Sequence, residues 1–206
     1  MALRNDDAAW GLPARLLHWS MAVIMIGTLG LGAYTANIVT DVYEQFALVQ
    51  IHKSWGFVVF ALAIARVAWR LVNPTPKDPE GTPAWQAKAS HRAHQALYVL
   101  MFALPITGWL MSSASTLQDL YGIKNMVFGL FAMPDPFVPG SDALEAVFSW
   151  AHTLCAVALT AILLVHAGAA LKHHFIDRDG VLTRMVRGRP QEGSGEAGDA
   201  AMPKTG

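Results

Sequence analysis

Four long apolar segments divide this chain, and polar stretches holding most of its charge separate them. The first runs from about Ala14 to Ile38 and carries no charge after Arg15. The second, about Phe46 to Val72, has Lys53 near one end and Arg66 and Arg70 near the other, around an uncharged centre from Ser54 to Ala65. Long basic side chains can reach the interface from within a span, so this segment still reads as a crossing. The third, about Ala93 to Ser115, contains Gly108 and Pro105, and the proline is expected to kink it. The fourth covers about Leu144 to Lys172, and between Ala146 and Leu171 it has no Asp, Glu, Lys or Arg. Each segment is long enough to cross a bilayer as a helix. The pattern predicts an all-α membrane protein, a four-helix transmembrane bundle over 14–189, preceded by a short segment, 1–13. The tail, 190–206, is rich in Gly, Glu, Ala and Pro and is expected to be disordered.

The connections differ in character. Asn73 to Thr82, with Pro74, Pro76 and Pro79, reads as a stiff linker. The third connection, about Thr116 to Asp142, includes Tyr121, Phe128, Phe131, Met133 and Phe137, too apolar for a free loop. It is expected to lie on the outer membrane surface and cover that end of the bundle. No internal repeat is visible.

The basic residues give a direction. Arg4 and Arg15 lie at the start, Arg66, Arg70, Lys77, Lys88 and Arg92 around the second connection, and Lys172, Arg178, Arg184, Arg187, Arg189 and Lys204 after the fourth segment. Those three regions hold thirteen of the fifteen Lys and Arg; the other two connections have only Lys53 and Lys124. Positive residues favour the cytoplasmic side, so both termini are expected there. The first apolar segment is too long for a cleavable signal, and mixed charges at Arg4, Asp6 and Asp7 precede it, so it is expected to remain as a span.

Composition agrees: hydrophobic residues are 53% and charged residues 15% of the chain, and the mean hydropathy is +0.34, values of a protein whose main partner is the lipid bilayer. A formal net charge of zero gives no argument for nucleic acid. The single cysteine, Cys155, excludes an internal disulfide, and no Cys-x-x-Cys-His is present for covalent haem attachment.

The candidate chemistry lies in histidines inside the apolar segments. His152 and His166 are fourteen residues apart on the fourth. At ~100° per residue that spacing returns to within ~40° of the same face, roughly 21 Å further along the axis. Ionisable groups at such depth are costly and usually functional. The predicted direction of each span puts His52 and His152 near the outer face and His18 and His166 near the inner face. Two pairs in two layers suit two metal centres of the haem type, each held between helices, with both axial positions filled as in electron carriers. Zinc fits less well, since it wants three or four ligands converging on one point.

Longer motifs carry a family resemblance. They are Arg15-Leu16-Leu17-His18-Trp19, Ile51-His52-Lys53-Ser54-Trp55-Gly56, His94 to Tyr98 leading into Leu104-Pro105-Ile106-Thr107-Gly108-Trp109, and Lys172-His173-His174-Phe175-Ile176-Asp177-Arg178-Asp179-Gly180. From about Trp10 to Val186 the chain resembles the bacterial cytochrome b561 family, within the wider group of di-haem membrane cytochrome b subunits of formate dehydrogenases and nickel–iron hydrogenases. The resemblance implies two non-covalent b haems ligated by histidines of the first, second and fourth helices, at positions that match His18, His52, His152 and His166. It implies a place in the bacterial cytoplasmic membrane and electron exchange with the quinone pool. Some members are implied to oxidise periplasmic superoxide and reduce ubiquinone. A second reading is an electron-carrier or membrane-anchor subunit for a separate dehydrogenase, and a more distant third is a histidine-bearing metal-ion transporter.

Further candidates surround these ligands. Arg15, Arg66 and Arg70 could pair with carboxylates of an inner haem, or serve as positive-inside anchors. His94, near the inner end of the third segment, could contact a quinone or a haem carboxylate. Lys53 adjoins His52 on the side otherwise poor in basic residues. A positive charge there could draw in a small anion such as superoxide, or belong to an ordinary helix end. Gly56, Ala156 and Ala170, each one turn after a ligand histidine, could let a flat ring approach the backbone, and the first segment adds Gly27, Gly30 and Gly32. All of these could equally be small residues of ordinary helix packing. The positions of His91, His173 and His174 favour interfacial roles.

Overall fold

The computed structural model describes residues 3–79 and 81–188. The expected tail, 190–206, lies outside them. Four long helices form the bundle: α1 (Leu12–Asn37), α2 (Val42–Leu71), α3 (Ala84–Ser113) and α5 (Asp142–Lys172). All four are long and apolar enough to cross a membrane. Between α3 and α5 lie a short helix, α4 (Thr116–Tyr121), and an antiparallel hairpin of β1 (Asn125–Val127) and β2 (Phe131–Met133), in which Met126 pairs with Ala132. A π-helical turn, His173–Asp177, extends α5, and α6 (Val181–Val186) follows it.

The helices start earlier than the apolar segments. Asp41 caps α2 by accepting a hydrogen bond from the Glu44 amide at 2.8 Å, so α2 begins at Val42 rather than Phe46. α3 begins at Ala84, nine residues before the expected Ala93, because Ala84-Trp85-Gln86-Ala87-Lys88-Ala89 is good helix sequence that hydropathy ignores. Hydropathy marks the bilayer, whereas propensity and caps mark the helix. Pro105 lies inside α3, which runs on to Ser113.

Few side chains are fully buried, and that follows from the solvent. Lipid is as apolar as leucine, so helix faces can remain bare. Val23 and Ile26 of α1 and Val147, Leu154, Val157, Leu164 and Val165 of α5 are all exposed. The interior cluster comprises Met21, Met25, Val59, Ala63, Met101 and Leu159, drawn from all four long helices. Leu159 is fully buried and lies midway in sequence between His152 and His166.

The two ends of the bundle are closed differently. At the end bearing both termini, Asn5 accepts from the Gly11 amide at 2.9 Å and donates to the Pro74 carbonyl at 2.9 Å. Lys77 pairs with Asp7 at 2.7 Å, Arg184 donates to the Lys77 carbonyl at 3.2 Å, and Trp19 donates to the Met185 carbonyl at 3.1 Å. The N-terminal segment, the proline-rich linker and α6 are thus knitted together.

At the opposite end the third connection is folded, not merely laid on a surface. Ser54 of α2 accepts from the Phe128 amide at 2.9 Å, and Trp109 of α3 donates to the Pro134 carbonyl at 2.9 Å. Beneath the hairpin the half-buried Lys53 donates to Ser112 at 3.2 Å, Asn125 at 3.2 Å and Gln118 at 3.5 Å. Asn125 is fully buried and donates onward to Asp135. A polar knot therefore pins the cap to α2 and α3.

Asn125→Leu would leave the Lys53 ammonium and the Ser112 hydroxyl short of an acceptor. It should cost about 1–3 kcal/mol, the scale of leaving a buried polar group unsatisfied. A thermal unfolding midpoint in detergent unchanged from the wild type would contradict this account of the cap.

Candidate functional site

Two pairs of imidazoles face each other across the bundle, one towards each end. At the hairpin end, His52 of α2 and His152 of α5 have ring centroids 6.2 Å apart and planes crossing at 81°. At the termini end, His18 of α1 and His166 of α5 are 6.3 Å apart at 61°. A single metal ion bonded to both rings, at about 2 Å from each nitrogen, would hold the centroids about 6.3 Å apart. Both gaps have the width that such a bridge requires. The apolar layer around Leu159 lies between the two pairs.

The hydrogen bonds bear on which ring nitrogen is free. His152 Nδ1 lies 3.0 Å from the Leu104 carbonyl, which can only accept, and 3.3 Å from the Thr107 hydroxyl. Nδ1 therefore holds the ring proton, leaving Nε2 with a bare lone pair, as metal-binding histidines require. His52 Nδ1 is buried and closes no hydrogen bond among the described residues. An apolar cavity of about 330 Å³ lies between α1 and α2, lined by Val23, Ile24, Gly27, Thr28, Leu31 and Trp55.

The termini-end pair has a cationic surround. Arg66 Nη2 donates to His18 Nδ1 at 3.0 Å, and Arg66 Nε donates to the Tyr98 hydroxyl at 3.4 Å. A guanidinium can only donate, so this His18 nitrogen accepts and the ring proton sits on Nε2, the reverse of His152. His18 would offer Nε2 to a metal only once Arg66 had left Nδ1. The guanidinium groups of Arg66 and Arg70 stand 5.6 and 5.4 Å from the Tyr98 ring centre. Neither arginine has a carboxylate partner among the described residues. His94 touches His166, with ring centroids 5.4 Å apart, too close for the two rings to face each other across one metal. His94 thus lies beside the His18–His166 pair.

Other expected positions differ. Arg15 lies against Gly188, after α6, and no contact joins it to the histidines. Gly56 does not back a ring, since a Cβ there would meet open space. The glycines that do touch ligand-candidate rings are Gly32 and Gly108, which spacing alone did not single out. Lys53 is not a free helix-end lysine: three acceptors hold it. His91 faces Asp78 at 4.0 Å, at the surface.

His173, with Asp177 and Asp179, ends α5 in a polar knot that Lys172 joins at 2.5 Å from Asp177. That trio is the one group of three or more possible metal ligands that converges among the described residues. His18, His94 and His166 lie near one another, but among the described residues the ligand atoms of no three bundle histidines converge on one point as zinc wants.

Four membrane-length helices with paired imidazoles between them have the architecture of a membrane b-type cytochrome. Comparison with known proteins agrees. Residues 9–188 match the family described as prokaryotic cytochrome b561. Cytochrome b561 homolog 2 of Escherichia coli (strain K12) is 31% identical over 189 residues, covering 90% of this chain and 95% of that protein. Cytochrome b561 homolog 1 of the same organism is 31% identical over 135 residues, 66% of this chain and 72% of its own length. A protein of Yersinia pestis named probable superoxide oxidase CybB is 32% identical over 139 residues, 66% of this chain and 73% of that one. The chain belongs to the prokaryotic cytochrome b561 family. It is a multi-pass bacterial membrane protein of electron transfer, and its family implies that it binds haem b.

Because the His94 ring sits too close to His166 to face it across a haem, His94→Leu should leave the haem-to-protein ratio at the wild-type value. Loss of a haem in that variant, read by pyridine haemochromogen absorbance, would make His94 a ligand and overturn the pairing above.

Proposed function

We propose that this chain holds two b haems, one between His52 and His152 and the other between His18 and His166, and carries electrons between a donor at the hairpin end and a quinone. The observation that carries this reading is the repeated gap of 6.2 and 6.3 Å between paired rings. A haem held by two histidines would supply one-electron exchange. The chain supplies the rest. Leu104 and Thr107 fix the orientation of His152. Met21, Met25, Met101 and Leu159 keep water out between the two sites. Arg66, Arg70 and His94 are placed to meet haem carboxylates or a quinone headgroup at the termini end; Arg15, held against Gly188, stands apart from them.

The thirteen-to-two distribution of Lys and Arg assigns the termini end to the cytoplasm and the hairpin end to the periplasm of an inner membrane. A reporter fused after Arg187 should then be active only in its cytoplasmic form. A periplasmic signal from that fusion would reverse the direction of the whole scheme.

Superoxide is the donor we favour and ubiquinone the acceptor. Lys53 adjoins His52 in sequence, and the polar knot holds its ammonium at the hairpin end, where a positive charge would attract a small anion. The name of the Yersinia pestis relative supports the same chemistry. A quinone takes two electrons, which matches two one-electron sites.

Stopped-flow mixing of the purified, haem-loaded protein with superoxide tests this. Reduction should outpace unaided disproportionation. Lys53→Gln should slow it by about tenfold and flatten its dependence on ionic strength, without changing the haem spectra. A wild type reduced no faster than superoxide decays unaided would end the superoxide reading and leave the chain as a carrier or anchor for a separate dehydrogenase.

A further inference from the structure

Gly32 on α1 and Gly108 on α3 meet the two hairpin-end imidazoles in the same way. A Cβ at Gly32 would lie 2.8 Å from His52 Cε1, 3.2 Å from Nδ1 and 3.7 Å from Nε2. A Cβ at Gly108 would lie 2.9, 3.1 and 3.7 Å from the same atoms of His152. Carbon atoms in comfortable contact are about 3.5–4.0 Å apart, so neither position admits a methyl group unless the ring moves. One turn before Gly108 the Leu104 carbonyl accepts from His152 Nδ1 at 3.0 Å. Two different helices thus present the same device to two rings, bare backbone at a glycine.

We propose that Gly32 and Gly108 are positioning residues for this histidine pair. Each lets an imidazole lie directly on helix backbone, with its Nδ1 edge towards the helix and Nε2 further out, and together they set the 6.2 Å gap and the 81° crossing of the rings. The inference rests on the two-haem reading, since a haem bound there would inherit that orientation.

The device belongs to one site. Among the described residues, no glycine stands in this relation to His18 or His166. It also belongs to these two glycines. Gly30 lies on the exposed face of α1, and a Cβ there would meet open space.

The test compares Gly32→Ala, Gly108→Ala and Gly30→Ala in the full-length, detergent-purified protein. Haem per chain is measured together with the low-temperature electron paramagnetic resonance of the ferric form. The resonance reports how the two axial rings are turned relative to one another. Gly32→Ala and Gly108→Ala should each weaken retention at the His52–His152 site by roughly tenfold or more, the scale of forcing one extra methyl into a packed site. Any haem left there should show a shifted resonance. The signal of the other haem should stay, and Gly30→Ala should match the wild type.

A second comparison separates positioning from plain helix packing. In a His52→Ala background there is no ring for a new Cβ to strike, so adding Gly32→Ala should leave the thermal midpoint unchanged. A glycine needed only for packing would cost as much there as in the wild type. Unaltered occupancy and resonance in both Ala variants, or equal destabilisation in the two backgrounds, would overturn the proposal. A wild type with no haem at His52–His152 would contradict both this inference and the two-haem reading. A wild type with a haem there and nowhere else would contradict the two-haem reading alone.

Discussion

A bilayer offers an imidazole no water, so each histidine inside this bundle must be met by another part of the chain. α5 sets that demand twice, because its fourteen-residue spacing returns His166 to nearly the face of His152. α1 answers at one depth with His18 and α2 at the other with His52. The separation of the two sites follows from meeting α5 at two depths. Packing alone would not impose this, since helix faces that are equally apolar in lipid and in the bundle give little preference for one rotation over another.

The same demand extends outward from the rings. At the hairpin end the groups against the rings are neutral: the Leu104 carbonyl, the Thr107 hydroxyl and bare glycine backbone. At the termini end they are cationic, with Arg66 donating to His18 Nδ1 and Arg70 near the same tyrosine as Arg66. The Lys53 ammonium is the exception at the hairpin end, and there the chain surrounds it with a serine, an asparagine and a glutamine, and places Asp135 next in line. The folded cap is therefore coupled to the second helix through a buried charge. That gives a physical reason for the apolar third connection to be structured.

Much of this was legible in the sequence. Four spans are visible because uncharged apolar runs of such length match the thickness of a bilayer. The histidine partners are visible because direction and depth leave only one pairing within reach. What was not legible depended on rotation about the helix axis. Gly32 and Gly108 look like any packing glycines, and the spacing rule that favoured Gly56 assumed that the useful small residue shares a helix with its histidine. The structure instead places it on the facing helix. The hairpin was hidden because its strands are three residues each, too short for alternation to show. The partners of Lys53 lie 59 to 72 residues away in sequence, beyond any local pattern.

We propose that each chain carries two separate haem sites, both anchored on α5. Haem content per polypeptide, measured with ferric electron paramagnetic resonance on the wild type, His152→Ala and His166→Ala, tests it most directly. Two haems are expected in the wild type and one in each variant, with a different low-spin signal missing from each. A wild type that binds a single haem, or two variants that lose the same signal, would contradict it.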